Sequence, residues 1–379
     1  MNRPVSCILS ACVLLFSSAS RSAEPPPLFS EDSVTSIDIQ IDPAGIKALR
    51  QQPREYVRGK IRRGTNLLAA AEIRLKGNFS FQPIDQKPGF SLKLSPAAQN
   101  QFSGHKRLLL NNSAQDPSYL RNKLASDMFL QAGLPTARVN FATVTLNGRA
   151  LNLYLLLEGT DEKFLQMHFG SADGNLYEGA DQDISAPLEI DFTPRGTDRS
   201  DLQSLVNTCS IDNLQSRWTK MSRLLDINQF ATFMAMELLV AHKDGYCMDL
   251  NNYRLYHNAK TGKFIFIAHG MDFILDNPVL QQDRHWKGIV ARAFIDTPKG
   301  KSLFHDQVNQ LGAKFYGDPQ FLARRVDALW KMIEPALTDT AEKDHVHNAI
   351  RELQSTLRSR AASFPQYLQR SQRNNPPIH

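Results

Sequence analysis

The residues whose types and spacing most favour chemistry lie between positions 242 and 272. Asp244 falls in a polar loop after an apolar helix, Asn251 and Asn252 follow it, and Asp272 comes after a predicted hairpin. A transferring phosphoryl group needs an acid that positions or deprotonates its acceptor, and oxygens of carboxylates and amides that hold Mg²⁺ against the phosphates. These residues supply that set, so the sequence is compatible with magnesium-dependent phosphoryl transfer.

Protein kinases arrange the same kinds of residue as a catalytic-loop aspartate, then an asparagine, then a hairpin that ends in an Asp-Phe pair. Here Asn252 follows Asp244 by eight positions, a longer gap than in the kinase loop, and Ile274 stands where a D-F-G motif has glycine. This chain is therefore not an ordinary protein kinase. A purely structural interpretation also stays open, in which Asp244 and Asp249 shape turns and the asparagines satisfy loop backbone groups.

Strands are predicted for the N-terminal portion of the chain. Short segments that alternate apolar and polar residues, as half-buried strands do, recur from Val34 to Leu94. Asn147-Gly148 joins two further strand candidates, because both residues tolerate the positive φ of a tight hairpin turn. Between these groups Asp116-Pro117 predicts the start of a helix, with aspartate as the cap and proline at the first position.

Helices dominate the prediction for the second half. Apolar residues recur at helical spacing from Asp226 to about Ala241, again after Asp318-Pro319, and a charged helix is predicted at about 340–360. The polar stretch 179–201 predicts a loop. Glu237 and other polar residues interrupt the first of these helices, which suits a buried helix rather than a membrane span.

The first residues have the layout of an export signal. Arg3 supplies positive charge, an apolar stretch runs from about Val5 to Phe16, and small residues at 17–20 offer cleavage sites. That stretch is shorter than a bilayer span requires. The mature chain is therefore predicted to lack a transmembrane helix and to be secreted or periplasmic. A lipid-anchored form processed at Cys12 is the less favoured alternative.

Composition sets limits on the class of protein. A hydrophobic content of 42% allows one large domain or two packed lobes. The net charge of +6 is modest and no basic run is present, so a nucleic-acid partner is not predicted. Cys209 and Cys247 remain after the predicted signal, and an oxidising compartment could join them, so the sequence leaves a disulfide open. No C-x-x-C is present, so metal binding through thiolates is not predicted.

Taken together, these segments resemble the spore-coat protein H (CotH) kinase family, in a secreted bacterial branch. The similarity spans about residues 35 to 335, and the matching runs keep the family's order. It departs from the usual pattern at Lys243, where tryptophan is common, and at Asn152, where glycine is usual. The matching runs are His242-Lys243-Asp244-Gly245-Tyr246, Asn251-Asn252-Tyr253, His269-Gly270-Met271-Asp272, Arg74 to Ser80, Phe90 to Leu94, Asp116 to Arg121, Leu153 to Glu158, Asn175-Leu176-Tyr177 and Gly288 to Ala293.

The resemblance implies an α+β, atypical protein-kinase-like fold with two lobes. A β-rich N-terminal lobe and a mainly helical C-terminal lobe would hold ATP and Mg²⁺ between them. The expected boundaries are a signal peptide at 1–23, a linker at 24–33, the β-rich lobe at 34–160, the helical lobe at 161–370 and a frayed tail at 371–379.

Carried onto this sequence residue by residue, the family pattern also implies roles. Asp244 becomes the catalytic-loop acid, and Asp272 with Asn252 or Asn251 becomes the metal-binding set. The residues expected to contact the nucleotide are Gly77, Lys87 or Lys93, Arg121 and Glu158. Each of these has an ordinary structural alternative, as a hairpin turn, a solvated strand residue, a helix-start residue or a polar strand end.

The implied function is phosphoryl transfer from ATP-Mg²⁺ to a protein acceptor outside the cytoplasm. Because ATP is scarce there, another nucleotide-dependent transfer on the same fold stays open. A non-catalytic surface or matrix protein that keeps a kinase-like shape for binding is the other alternative, and the retained Asp244, Asn252 and Asp272 argue against it. Neither G-x-S-x-G nor H-E-x-x-H occurs, so a hydrolase is not favoured.

Overall fold

The computed structural model describes residues 27–30, 32–194, 199–280 and 286–374. The predicted signal segment 1–23 lies outside these ranges, as do parts of the predicted linker and tail. None of the helices in the described ranges is long and apolar enough to cross a membrane.

Seven strands of the N-terminal portion form a closed barrel in the order β1-β2-β3-β4-β5-β7-β6. All neighbouring pairs are antiparallel except β1 and β6, which run parallel and close the barrel, with Val34 opposite Phe141. The first strand begins at Val34, where the alternating pattern of the sequence begins. The strands are β1 (Val34–Gln40), β2 (Val57–Arg63), β3 (Ala69–Lys76), β4 (Gly89–Leu94), β5 (Arg107–Asn111), β6 (Val139–Leu146) and β7 (Arg149–Glu158).

The predicted hairpin between β6 and β7 is confirmed. Asn147 and Gly148 adopt φ values of 49° and 80°, the left-handed pair that a tight turn between twisted strands requires. Asn152, where the family usually has glycine, has a φ of 62°. Asparagine tolerates this left-handed region better than most residues, so it can occupy a position where glycine is usual.

A second, four-stranded antiparallel sheet has the order β11-β10-β8-β9. The predicted loop 179–201 is wrong in part, because Glu189–Phe192 pairs with β8 as an edge strand and a helix already begins at Ser200. That strand is only partly buried, so it lacks the run of apolar residues that would mark it in the sequence. The strands are β8 (Asn175–Gly179), β9 (Glu189–Phe192), β10 (Tyr253–Asn258) and β11 (Lys263–Ala268).

Twelve helices complete the described part of the chain. The helices are α1 (Pro43–Gln51), α2 (Pro96–Gln101), α3 (Arg121–Gln131), α4 (Glu162–Phe169), α5 (Ser200–Cys209), α6 (Leu214–Leu224), α7 (Ile227–Val240), α8 (Tyr246–Asp249), α9 (Ile289–Ile295), α10 (Pro298–Tyr316), α11 (Phe321–Ile333) and α12 (Thr340–Asn374). The last is longer than the predicted charged helix at 340–360, and it runs into the segment 371–379 that was expected to fray.

The predicted helix start at Asp116-Pro117 is wrong by several residues. The carboxylate of Asp116 accepts hydrogen bonds from the backbone and hydroxyl of Ser118 and from the backbone of Arg121, which closes a turn rather than a helix. Tyr119 adopts a φ of 60°, which a continuing right-handed helix does not allow. Helix α3 therefore begins only at Arg121.

Two apolar cores meet at β7. Tyr154 and Leu156 point into the barrel, whereas Leu153, Leu155 and Leu157 point outwards and pack with the helices and the second sheet. This alternation is the period of two that a strand buried on both faces must carry with apolar residues throughout. The barrel and the helical part are thereby fixed against each other beside the ends of β3 and β5.

Candidate functional site

The loop that carries Asp244 follows α7 and is held in an unusual conformation. Ala241, Leu250 and Asn252 have φ values of 55°, 63° and 50°. A non-glycine residue in this region costs about 1–2 kcal/mol. Such residues persist only where the surroundings hold them, and they cluster at functional sites. The conformation of this loop is therefore set by its contacts rather than by local preference.

The side chain of Asn252 connects the two segments that carry the predicted catalytic carboxylates, Asp244 and Asp272. Its side-chain amide donates to Asp244 Oδ2 at 2.6 Å, and its Oδ1 lies against Gly270, two positions before Asp272. A Cβ atom at Gly270 would lie 2.2 Å from Asn252 Oδ1, and the φ of Gly270 is 62°. Glycine is thus required here by both backbone conformation and close approach. Of the two asparagines, Asn252 rather than Asn251 makes this contact.

Asp272 is held by two asparagines that the sequence analysis did not select. Asn111 donates its side-chain amide to both carboxylate oxygens at 3.1 and 2.9 Å, and Asn122 donates to Oδ1 at 2.8 Å. Asn111 ends β5 and Asn122 lies in the first turn of α3, and both are buried. The Asp272 carboxylate is therefore fixed in one orientation. Buried polar residues at the ends of apolar segments were the available sequence signal.

Asp244 is half-buried beside a fully buried His242 and Glu237. Burial raises the pKa of Asp244, and the charge of His242 acts in the opposite direction. Glu237 accepts the backbone amides of Tyr246 and Cys247 at 3.1 and 2.9 Å, which holds the middle of the loop. These contacts fix the loop from below.

Lys76 lies near enough to Asp272 for the two charges to interact. It ends β3, next to Gly77, and it is half-buried. Burial lowers the pKa of Lys76, while the negative charges of Asp272 and Glu178 act to raise it. The sequence analysis named Lys87 and Lys93 for the phosphate, although Lys76 stands in the matching run before Gly77.

Lys87 and Lys93 have other surroundings. The ammonium group of Lys87 donates to Tyr119 Oη at 2.6 Å and lies 3.7 Å from Glu342 of α12. Lys93 is exposed on β4, with its Nζ 4.0 Å from the ring centroid of Tyr56. Among the described contacts, neither lysine touches Asp244 or Asp272.

The other predicted nucleotide contacts are also engaged elsewhere. Gly77 has a φ of 108°, and a Cβ atom there would meet Ser80 Oγ at 2.8 Å, so it is a turn glycine. Arg121 donates to the carbonyl oxygen of Ile274, just after Asp272. Glu158 is buried, and its carboxylate accepts two hydrogen bonds from the guanidinium of Arg138, at 2.9 and 2.6 Å.

A chain of ion pairs joins the barrel to the second sheet on the side of Lys76. Arg107 Nη1 of β5 lies 3.0 Å from Asp191 Oδ1 of β9. The other oxygen of this carboxylate, Oδ2, lies 3.1 Å from Arg254 Nε of β10. Arg254 in turn lies 2.9 Å from Glu178. These partly buried pairs fix the two sheets around the ends of the strands that carry the site.

The chemistry of the donor set fits Mg²⁺ held jointly with phosphate oxygens. Across the described residues, no three His, Cys, Asp or Glu side chains converge as a complete metal centre. Mg²⁺ is usually bound by one or two carboxylates together with substrate phosphates and water, rather than by an all-protein cage. Asp272 and the amide oxygen of Asn252 offer such an incomplete set.

The two cysteines of the described chain are free thiols, so no disulfide joins Cys209 to Cys247 in this structure. Burial raises the pKa of the Cys209 thiol to about 12, and it raises the pKa of Cys247 well above its ordinary value. Neither thiol is therefore a ready nucleophile at neutral pH.

Residues 73–367 match the CotH kinase protein family. The chain therefore belongs to this family, which confirms the family predicted from the motifs around Asp244 and Asp272.

Individual relatives are more distant. Inner spore coat protein H of Bacillus subtilis is 30% identical over 189 residues, which cover 45% of this chain and 50% of that protein. Invasin CotH2 of Rhizopus delemar is 21% identical over 281 residues, or 65% of this chain and 47% of that protein. Spore coat protein homolog 1 of the same fungus is 25% identical over 46% of this chain and 31% of that protein. The chain thus spans half or less of the length of these relatives.

Two solved structures are weakly similar. The Helicobacter pylori proinflammatory kinase CtkA matches with a TM-score of 0.36 and 8% identity, over 76% of this chain and 94% of that chain. HipA of Shewanella oneidensis, solved with HipB and operator DNA, matches with a TM-score of 0.35 and 10% identity, over 91% and 76%. Similarities at this level say nothing about the chemistry of the site.

Proposed function

We propose that this protein transfers a phosphoryl group from ATP to a hydroxyl group of a protein acceptor, with Mg²⁺, at the site formed by Asp244, Asn252 and Asp272. The observation that carries the proposal is the contact of Asn252 with both Asp244 and Gly270. This contact joins Asp244, the predicted catalytic acid, to the segment that carries Asp272, the predicted metal ligand. Membership of the CotH kinase protein family supports the same reaction class.

In this proposal Asp244 accepts the proton of the acceptor hydroxyl. The acceptor oxygen forms a bond to the γ-phosphorus while the bond from that phosphorus to the β,γ-bridging oxygen breaks, and ADP leaves. Asp272 and Asn252 would hold the metal, which neutralises charge on the phosphate oxygens when bound. Asn111 and Asn122 keep the Asp272 carboxylate in place, so that little reorganisation is needed during transfer.

We assign the phosphate contact to Lys76 rather than to Lys87 or Lys93. A lysine near Asp272 can neutralise the oxygens of a phosphate group that would also bind a metal ion held by Asp272. Burial lowers the pKa of Lys76 more than the charges of Asp272 and Glu178 raise it, so a phosphate would add negative charge that favours the protonated ammonium group. The turn at Gly77 directly after it leaves backbone amides near the phosphates.

The site in this proposal lies between a β-rich lobe at 34–160 and a helical lobe at 161–370. The apolar segment 5–16 supports export, which would place the protein acceptor outside the cytoplasm. Gly77, Arg121 and Glu158 keep supporting roles in this proposal, because the side chains of Arg121 and Glu158 are engaged with Ile274 and Arg138, and Gly77 forms a turn.

The test uses the mature chain from residue 24 with Mg²⁺ and either γ-labelled or α-labelled ATP. We expect label from γ-labelled ATP on protein, and its loss in both Asp244→Asn and Asp272→Asn. Asp249→Asn is the matched control, because this residue of the same loop pairs with Lys287 rather than with the site. Label from α-labelled ATP instead would indicate nucleotidyl transfer. No label from either, together with no Mg²⁺-dependent nucleotide binding, would contradict the proposal.

A further inference from the structure

His242 lies between two carboxylates at the base of the loop. Its ring is fully buried, with Nδ1 3.4 Å from Glu237 Oε1 and Nε2 3.6 Å from Asp244 Oδ1. The arrangement depends on Gly245, because a Cβ atom there would lie 2.3 Å from Glu237 Oε1 and 2.6 Å from His242 Nδ1. The absence of a side chain at Gly245 thus leaves room for three ionisable groups to lie close together, and the histidine among them is not exposed to solvent.

The chemistry of imidazole decides which form fits this position. A neutral ring carries one protonated nitrogen and one lone pair, so one of its nitrogens would turn a lone pair towards a carboxylate. The doubly protonated ring offers an N–H to each side. It also supplies the positive charge that the fully buried Glu237 carboxylate otherwise lacks, since a buried unpaired charge is costly.

We propose that His242 is a positioning residue: as an imidazolium beside Glu237, it attracts the Asp244 carboxylate and keeps it aimed at the acceptor hydroxyl. This inference rests on the proposed function. The two oxygens of Asp244 then face separate groups: Oδ1 lies at an ion-pair distance of 3.6 Å from His242 Nε2, and Oδ2 accepts a hydrogen bond from the amide of Asn252. A charge facing one oxygen and a hydrogen bond to the other favour one orientation of the carboxylate for accepting a proton.

The other groups around the ring agree with this charge state. Burial acts to lower the pKa of His242, but the neighbouring carboxylates of Glu237 and Asp244 and the backbone of Gly270 outweigh burial, so the pKa is raised.

Three further groups near His242 are basic. His269 lies within reach of the ring's charge and has its own pKa lowered well below the ordinary value, so it stays neutral. Lys243 and Arg360 line the small cavity beside Glu237 and His242. Lys243 is paired with Asp276, and Arg360 donates to backbone carbonyls.

The protonation state is measured directly by NMR of the full mature chain with ¹⁵N-labelled histidine, the His242 signals being assigned by their loss in His242→Gln. We expect both ring nitrogens to be protonated at pH 7. In Glu237→Gln, an isosteric change, the titration midpoint of His242 should fall by at least one pH unit. A ring that is neutral at pH 7 in the wild-type protein overturns the inference.

Transfer kinetics give the second readout. His242→Gln should lower kcat by about 10- to 100-fold with little change in the KM for ATP, since the role is in accepting the proton rather than in holding nucleotide. In Glu237→Gln the fall of kcat on the alkaline side should move to lower pH. His257→Gln is the matched control, because His257 also pairs with an aspartate, Asp201 at 2.8 Å, but in the second sheet.

Two failures can be told apart. If the wild-type protein transfers no group, the proposed function fails and this inference fails with it. If transfer occurs but His242→Gln has the wild-type kcat at every pH, only the inference is overturned. Thermal unfolding of each variant shows whether a loss of activity comes from a loss of folded protein.

Discussion

The side-chain amide of Asn252 donates a hydrogen bond of 2.6 Å to Asp244, while the side-chain oxygen Oδ1 of Asn252 lies against Gly270. One amide side chain thus bridges the segment before β10 and the segment after β11, at the open end of the hairpin where Tyr253 pairs with Ala268. Any change that moves Asn252 should disturb both predicted functions of the site, the acid and the metal ligand.

Gly270→Ala tests this bridge directly. The added methyl group would displace Asn252, so we expect loss of transfer and a loss of stability greater than the backbone effect alone. Gly262→Ala is the control, because Gly262 has a similar φ of 68° and a Cβ atom there would have open space around it. The control should lose about 1–2 kcal/mol of unfolding free energy and keep its activity. Equal losses in the two variants, by chemical denaturation, would contradict the steric argument.

Lys76→Met should weaken nucleotide binding. Removing a charged partner of phosphate costs about 1.5–3 kcal/mol, so the Kd for Mg-ATP should rise by about tenfold or more in isothermal titration calorimetry. Lys93→Met is the matched control, since Lys93 is an exposed strand lysine beside Tyr56. A normal Kd in Lys76→Met with a raised Kd in Lys93→Met or Lys87→Met would restore the assignment made from sequence.

Asn122→Ala should reduce metal affinity without removing a ligand. Its amide orients Asp272 from α3, and loss of such a supporting contact typically weakens metal binding by about 10- to 100-fold. The concentration of Mg²⁺ that gives half-maximal transfer measures the effect. Asn207→Ala, an exposed helical position, should leave that concentration unchanged. An unchanged value in Asn122→Ala would show that Asn111 alone holds the carboxylate.

Asp32 gives a prediction of stability against pH. Burial acts to raise its pKa, but Arg325 and Lys123 outweigh burial and lower the pKa to about 2. Because the folded pKa lies below the unfolded value of 3.8, the stabilisation is present above about pH 4 and is lost as pH falls towards 2. With solvent screening of this partly exposed group, Asp32→Asn should lose about 1 kcal/mol at pH 7.

The difference in Tm between Asp32→Asn and wild type should shrink as the pH of the thermal scan is lowered from 7 to 3. A difference that stays constant over this range would show that the ion pairs of Asp32 do not contribute to stability. Asp318→Asn serves as the comparison, because its carboxylate is exposed and pairs with Arg324 on the surface.

Local patterns predicted much of this fold. Alternation located the barrel strands, and Asn147-Gly148 marked their tight turn, because these signals act within a few residues. The start of α3 was misplaced because Asp116 can cap either a helix or a turn, and the choice was made by Tyr119 at positive φ. Local preference cannot distinguish these two outcomes.

The sequence could indicate only those residues of the candidate site that lie near one another along the chain. Asp244, Asn252 and Asp272 lie close together in sequence, around one hairpin, and were found from their spacing. Asn111 meets Asp272 from 161 positions away, a partnership that no local pattern encodes. Lys76 and Lys87 both sit near a glycine or proline in the N-terminal portion, and only the closed barrel decides which of them turns towards Asp272.

The parallel pairing of β1 with β6 has a consequence for the order of folding. The first strand of the barrel has its partner more than a hundred residues later, so the ring cannot be sealed by neighbouring hairpins alone. Closing so long a loop carries an entropic cost before any contact rewards it, which makes the event slow and dependent on the intervening strands. Until that moment β1 and β6 each present an unpaired edge, and the growing molecule is most exposed to wrong strand partners. Sealing of the ring is therefore the event that removes both open edges of the barrel at once.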